Sequence, residues 1–252
     1  MFIDVHCHLD YYVDEKIKKI VEKAKKANVN IIITNGTNKK SNRKSLELAE
    51  KYKEVNVALG LYPLEALQLS EKEINDELKF IENNKNKITA VGEVGLDFKE
   101  TEEKEKQVQV FKKIIHLAQK IDKPLIIHSR KAEKEVIEIL EEARAKKVIM
   151  HCFSGKKSLI ERIKQNNWSM SIPANVKFSE HFQMAVKILP IENLLCETDS
   201  PFLSPFKQQS EKPNNEPANV VESYKKIAEI KGLTLKQTEK LIEKNYEKLF
   251  SD

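Results

Sequence analysis

The sequence predicts an α/β fold, a (β/α)8 or TIM barrel of eight parallel strands, on three observations. The first is rhythm: a short apolar run, a turn and an amphipathic charged segment recur along the chain, which is the pattern of successive βα units. The second is count: there are eight such runs, and their C-terminal ends fall near His8, Asn35, Gly60, Glu93, His128, His151, Pro173 and Asp199, at intervals of 22 to 35 residues. Each interval holds one helix and two loops. The third is size: 252 residues, 40% hydrophobic and 33% charged, suit a single domain over 1–252 with a sizeable core. An open doubly wound sheet is the competing arrangement.

In order, the predicted strands are Phe2–Val5, Ile31–Ile33, Val55–Leu59, Ile88–Val91, Leu125–Ile127, Lys147–Met150, Trp168–Ile172 and Asn193–Cys196. After the first strand, Val13, Ile17, Ile20, Val21, Ala24 and Ala27 recur at helical spacing, so the lysines and glutamates between them face water. Capping-box patterns at Ser70–Glu73, Ser158–Glu161 and Thr234–Gln237 mark further helix starts. Two C-terminal helices, about Pro217–Ile230 and Leu235–Leu249, are expected to complete the outer layer.

Composition narrows the function classes. A net charge of +5 is a mild bias that suits a polyanionic partner but is far from a histone-like tail. No apolar run approaches the roughly 20 residues that cross a bilayer, and the first residues lack a signal-peptide pattern. Three cysteines, an odd number, fit a reducing compartment. The expectation is a cytoplasmic protein with no membrane contact and no obligate protein partner.

In a barrel of this class the chemistry sits at the C-terminal ends of the strands. His6 and His8 close strand one, Glu93 strand four, His128 strand five and His151 strand six, and Asp199 follows strand eight. Side chains alternate along a strand, so His6 and His8 share one face while Cys7 turns to the other. Imidazole nitrogens with carboxylate oxygens suit several divalent ions, and a bridging Glu93 suits two ions about 3.5 to 4 Å apart. A lone His-x-His pair is weak evidence. Joined by four further candidate ligands, each at its own strand end, it predicts a centre of two divalent metal ions (Mg, Mn, Zn or similar). Cys7, Cys152 and Cys196 accompany these motifs but read as small buried apolar residues.

The segments Asp4-Val-His-Cys-His-Leu9, Gly92-Glu-Val-Gly-Leu-Asp97, His128-Ser-Arg130, His151-Cys-Phe-Ser-Gly155 and Glu197-Thr-Asp-Ser-Pro201 together resemble the TatD family, in the same order and over nearly the whole chain. The resemblance implies a barrel of the metal-dependent hydrolase type, with deoxyribonuclease activity described as 3′ to 5′ exonuclease or abasic-site cleavage. Carried over by motif, it implies that His6, His8, Glu93 and Asp199 hold one metal and Glu93, His128 and His151 the other. Glu93 and Asp199 would be the catalytic carboxylates, with Asp199 orienting the attacking water. Asp4, Asp97, Ser154 and Glu197 would orient ligands or pin loops. Arg130 is a candidate for a phosphate oxygen, its bland alternative being a salt bridge to a neighbouring helix. Tyr62 is a candidate for base stacking or phosphate contact, its alternative being to cover the barrel mouth.

Two departures from the family pattern concern loops. Gly60-Leu-Tyr-Pro-Leu64 lacks both histidines of a Gly-x-His-Pro-His segment, and Asn214-Asn-Glu-Pro217 lacks the arginine expected before Asn215. The leading expectation is a metal-dependent hydrolase cleaving DNA phosphodiesters. A small-molecule or aminoacyl-ester hydrolase on the same barrel and a non-catalytic nucleic-acid-binding protein are the alternatives. Glu93, standing where many small-molecule members of this barrel group carry a modified lysine, favours the nuclease. An intact but unfilled ligand set would be electrostatically costly, which argues against the binding protein.

Overall fold

The computed structural model describes residues 1–99, 101–206 and 214–250. Its eight strands are β1 (Phe2–Cys7), β2 (Val29–Asn35), β3 (Val55–Leu59), β4 (Ala90–Asp97), β5 (Leu125–Arg130), β6 (Val148–His151), β7 (Ser169–Pro173) and β8 (Leu194–Glu197). They pair in parallel in chain order, β1 to β8, in one sheet. That order rules out the doubly wound alternative, in which the strand sequence reverses at a switch point.

The ring closes between β1 and β8. Past the end of β8, Cys7 and Ser200 form a parallel bridge. Asp199 N–H donates to His6 O at 2.9 Å, and His8 N–H donates to Ser200 O at 2.8 Å. The buried carboxylate of Asp4 accepts from Thr198 N–H at 2.9 Å and from Thr198 Oγ1 at 2.6 Å. From outside, the buried Tyr224 hydroxyl accepts from Ile3 N–H at 3.0 Å and donates to Ile3 O at 3.2 Å.

The helices are α1 (Asp14–Lys26), α2 (Lys39–Lys51), α3 (Pro63–Leu67), α4 (Glu71–Asn83), α5 (Lys104–Lys120), α6 (Glu133–Glu142), α7 (Lys157–Gln165), α8 (Glu180–Ile188), α9 (Val221–Lys231) and α10 (Leu235–Phe250). In α1, Ile17, Ile20, Val21 and Ala24 are buried as the stripe requires. Burial of each of its three larger side chains is worth about 1.5 to 3 kcal/mol. Val13 falls outside the stripe, because it is the N-cap and is 58% exposed.

The capping boxes at Ser70–Glu73 and Thr234–Gln237 form with reciprocal bonds. The one at Ser158 does not, since α7 begins at Lys157 and leaves Ser158 inside the first turn. The segment Pro217–Val220 is a 3-10 turn, so α9 starts at Val221 and not at Pro217. α10 meets β8 through Asn245, whose amide donates to Ile191 O at 2.7 Å and Leu194 O at 2.9 Å.

Two strands overrun their expected ends. Beyond an irregularity between Val91 and Val94, β4 pairs with β5 from Val94↔Ile127 through Gly95↔His128 to Asp97↔Arg130. Glu93 therefore lies within β4 and His128 within β5, two residues before its end. β3 pairs with β4 only at Ala58 and Leu59, so Glu93 stands beyond the last β3 pair, and Gly60 makes that approach possible. A Cβ at Gly60 would fall 2.5 Å from Glu93 O. Gly95 adopts φ +143°, and a Cβ there would fall 2.0 Å from His128 O, so only glycine fits.

Candidate metal centre

All six predicted ligands meet at the C-terminal mouth of the barrel. His6 and His8 leave the same face of β1, and their Nε2 atoms lie 3.2 Å apart. Asp199, brought across by the β1/β8 closure, places Oδ1 3.5 Å from both nitrogens. Glu93 Oε2 lies 3.6 Å from His6 Nε2 and 3.3 Å from His8 Nε2. Its other oxygen, Oε1, is 2.8 Å from His128 Nδ1 and 3.8 Å from His151 Nε2.

Two triads have ligand atoms within 4.8 Å of one another: His6, His8 and Asp199; and His6, Glu93 and His151. The six residues thus come together, but His6 takes the place in the second triad that the motif gives to His128. His128 turns Nδ1 to Glu93, while its Nε2 lies 3.6 Å from Asp97 Oδ2 and 3.3 Å from the Tyr62 hydroxyl. No cysteine enters either triad, and Cys7 and Cys196 are fully buried among apolar neighbours.

The far side of each ring fixes which nitrogen faces inward. His8 Nδ1 lies 3.0 Å from Asn35 O, which can only accept, so this nitrogen carries the hydrogen and Nε2 turns to the centre. His151 Nδ1 lies 2.8 Å from Glu197 Oε2, a buried carboxylate that also accepts from Ser171. Asp97 accepts from the Tyr62 hydroxyl at 2.7 Å. These are the partners that hold ligand imidazoles in one tautomer.

Charge follows packing. Burial pushes His6 down to about 3, helped by His151, whose ring stacks on it with centroids 3.6 Å apart. Burial opposes protonation of His151 too, but Glu197 outweighs it and holds His151 up at about 9. His8 is raised against its burial by hydrogen bonds to Asp199 and Glu93. Both of those carboxylates are held below their ordinary range by the imidazoles around them, despite the opposing effect of burial. The centre therefore presents two carboxylates kept ionised and balanced by imidazolium protons. Divalent cations can take over that balancing role, and the mixed nitrogen and oxygen donor set fits them.

Above the ligands opens a pocket of about 420 Å³, lined by His8, Glu93, His128, His151 and Asp199 and rimmed by Tyr11, Thr37, Tyr62, Leu64, Arg130 and Phe202. Arg130 also lines an adjoining groove of about 820 Å³ with Lys99, Lys131, Lys134, Lys156 and Arg162, against Glu133 and Glu135.

A family model described as TatD related DNase matches residues 3–251. The chain belongs to that family. It is 35% identical over 250 residues to an uncharacterized metal-dependent hydrolase of Methanocaldococcus jannaschii, covering 99% of this chain and 96% of the relative. It is 35% identical over 263 residues to the human protein named deoxyribonuclease TATDN3, covering 98% and 94%. The solved structure of YjjV, a TatD homolog from Escherichia coli K12, superposes with a TM-score of 0.91 at 26% identity, covering 100% of this chain and 98% of that one. The protein is thus a TatD family metal-dependent hydrolase.

The family's loop motifs can now be placed. Tyr62, where one missing histidine is expected, lies on the rim with its hydroxyl engaged by Asp97. Asn215, from the incomplete Arg-Asn-Glu-Pro pattern, is buried. Its amide donates to Thr198 O at 2.8 Å and to Phe202 O at 2.7 Å, so it pins the loop carrying Asp199. Sequence reasoning missed Asn35, Thr198 and Asn215 as supports, and Tyr11 and Phe202 as rim residues. The last two carry a readable signal: each stands three positions after a predicted ligand, His8 and Asp199.

Proposed function

We propose that the protein is a divalent-metal-dependent deoxyribonuclease that hydrolyses phosphodiester bonds at the barrel mouth. The observation that carries this reading is the joining of the ligand cluster to a cationic groove through Arg130. A polyanion longer than one phosphate suits such a surface better than a small neutral ester does. The relative named a deoxyribonuclease points the same way.

In this reading His6, His8 and Asp199 would hold one ion, and Glu93 and His151, with His6 or His128, would hold a second. When bound, such ions supply Lewis acidity towards the phosphate and lower the pKa of water. The chain's own groups do the rest. Asp199, 16% exposed and kept ionised, faces the pocket and orients the attacking water. Glu93 divides its oxygens between the two sides of the centre, one towards His6 and His8 and the other towards His128 and His151. Arg130, 47% exposed on the rim, offers its fork of donors to a phosphate oxygen.

The test is cleavage of end-labelled single-stranded and abasic-site oligonucleotides with Mg or Mn, beside an EDTA control. Metal-dependent cleavage supports the reading, and the preferred substrate separates exonuclease from abasic-site activity. No cleavage by folded, metal-loaded protein would overturn it in favour of a small-molecule ester hydrolase.

A further inference from the structure

Large hydrophobic side chains are mostly buried, yet among the described residues five stand exposed: Tyr11, Val13, Phe178, Phe202 and Phe206. Two of these, Tyr11 at 53% and Phe202 at 42%, line the same pocket as the metal ligands. Their ring centroids are 5.8 Å apart at 81°, so face and edge form a notch. Tyr11 also stacks on the ligand candidate His8, with centroids 5.2 Å apart at 27°. A base held in the notch would therefore sit beside the metal centre.

The notch is held from below by one residue. Asn215 accepts from the Tyr12 hydroxyl through its backbone oxygen and donates to Phe202 O through its amide. The turn at Leu9–Tyr11 is tied in addition by Leu9 N–H donating to Thr34 Oγ1 at 3.2 Å. Both loops are thus fixed to one buried anchor, which lowers the ordering cost of binding a flat ligand. By strand order the notch, after β1 and β8, lies across the ring from Arg130 at the end of β5. Phosphates on the cationic side and a base on the aromatic side would place the linkage between them over the ligands.

We propose that Tyr11 and Phe202 form a stacking site for the nucleobase next to the scissile phosphodiester, making a single-stranded end or an unstacked base the preferred substrate. This rests on the deoxyribonuclease reading and extends it to two positioning residues. Every base offers a π face, so the site selects an unpaired base over a paired one without reading sequence.

The test uses single-stranded oligonucleotides with 2-aminopurine at the 3′ or 5′ terminal position and a phosphorothioate last linkage. Stacking on an aromatic ring quenches this probe. Wild-type protein is expected to quench it at one end, and Tyr11→Ala with Phe202→Ala to abolish the quench and raise KM for unmodified oligonucleotide roughly 10-fold. Tyr11→Phe and Phe202→Tyr, which keep the rings, should restore both, while Phe202→Leu, apolar without a ring, should not. Phe178→Ala, which removes an exposed ring in the segment after β7 that does not line the metal pocket, serves as control for exposed aromatics in general. Equal quench and equal KM in the alanine variants, with DNA still cleaved, would overturn the stacking site and leave the nuclease reading standing. Failure of folded, metal-loaded wild-type protein to bind or cleave any oligonucleotide would overturn both.

Discussion

On the β1/β8 wall of the mouth, His6, His8 and Asp199 are brought together by main-chain bonds across the seam, whereas on the β4/β5 wall Glu93 and His128, whose main chains are bonded too, have their side chains turned by other side chains. The first wall closes through the backbone of His6, His8, Asp199 and Ser200. The second relies on a chain of contacts from Tyr62 to Asp97, from Asp97 to His128 and from His128 to Glu93. A ligand set by the backbone keeps its position when a neighbouring side chain changes. A ligand set by side chains is adjustable, and single substitutions there should act by degrees.

The largest effect is expected on the first wall. His6→Ala and Asp199→Ala each remove a donor from the first triad, and Asp199→Ala also removes the pocket-facing carboxylate. Turnover should fall below detection, and one equivalent of metal should be lost by elemental analysis. The fold should persist, because both residues serve the mouth and the backbone bonds of the seam survive the truncation. Wild-type turnover in either variant would overturn the site, and a collapsed circular-dichroism spectrum would show that the seam depends on these side chains after all.

Next in size is the buried support of His151. Glu197→Gln keeps an acceptor opposite Nδ1 but deletes the charge that holds His151 at about 9. Loss of such a partner costs about 10- to 100-fold in metal affinity or activity. Isothermal titration with Mn would measure it, and an unchanged affinity would show that His151 is not a ligand.

How much of this was legible in the sequence follows the same division. The β1 pair was readable because period-two alternation alone puts His6 and His8 on one face, and Asp199 was readable as the acid just past the last strand. Glu93 was found, but its place was not. The irregularity between Val91 and Val94 carries β4 four residues beyond it, and spacing cannot show a register shift. Nor can spacing tell which nitrogen of His128 turns to Glu93, since that is decided by Asp97 and Tyr62, residues 31 and 66 positions away. Thr198 and Asn215 stood inside the resembled motifs and Asn35 at a strand end, but all three act largely through or upon backbone atoms, so no chemical signature marked their role as supports.

A third prediction concerns pH. His8 and His151 are both raised in the metal-free centre, His151 to about 9. Below about 9 the His151 proton must leave before Nε2 can bind a cation, and the raised His8 must likewise give up its proton. Metal affinity should therefore strengthen as pH rises from 6 to 8, by about tenfold per unit for each proton displaced. The titration should release protons into a weakly buffered solution. A flat dependence would mean that neither imidazole gives up a proton on binding, and it would remove His8 and His151 from the ligand set.

The smallest effect is expected from Tyr62→Phe, which separates the two roles open to that residue. Its hydroxyl donates to Asp97 and touches His128, so its loss leaves Asp97 Oδ2 with one partner fewer and frees the imidazole to turn. A single hydrogen bond of this kind is worth about 0.5 to 1.5 kcal/mol, or roughly 2- to 10-fold in rate. The ring remains, so any contact it makes with substrate survives. If Tyr62 acts through His128, kcat falls by that factor, KM for oligonucleotide holds, and the pH profile of kcat shifts. If the hydroxyl instead meets substrate, KM rises while the profile stays, and Tyr62 would then join Arg130 as a substrate contact on a wall whose ligands are otherwise set from behind.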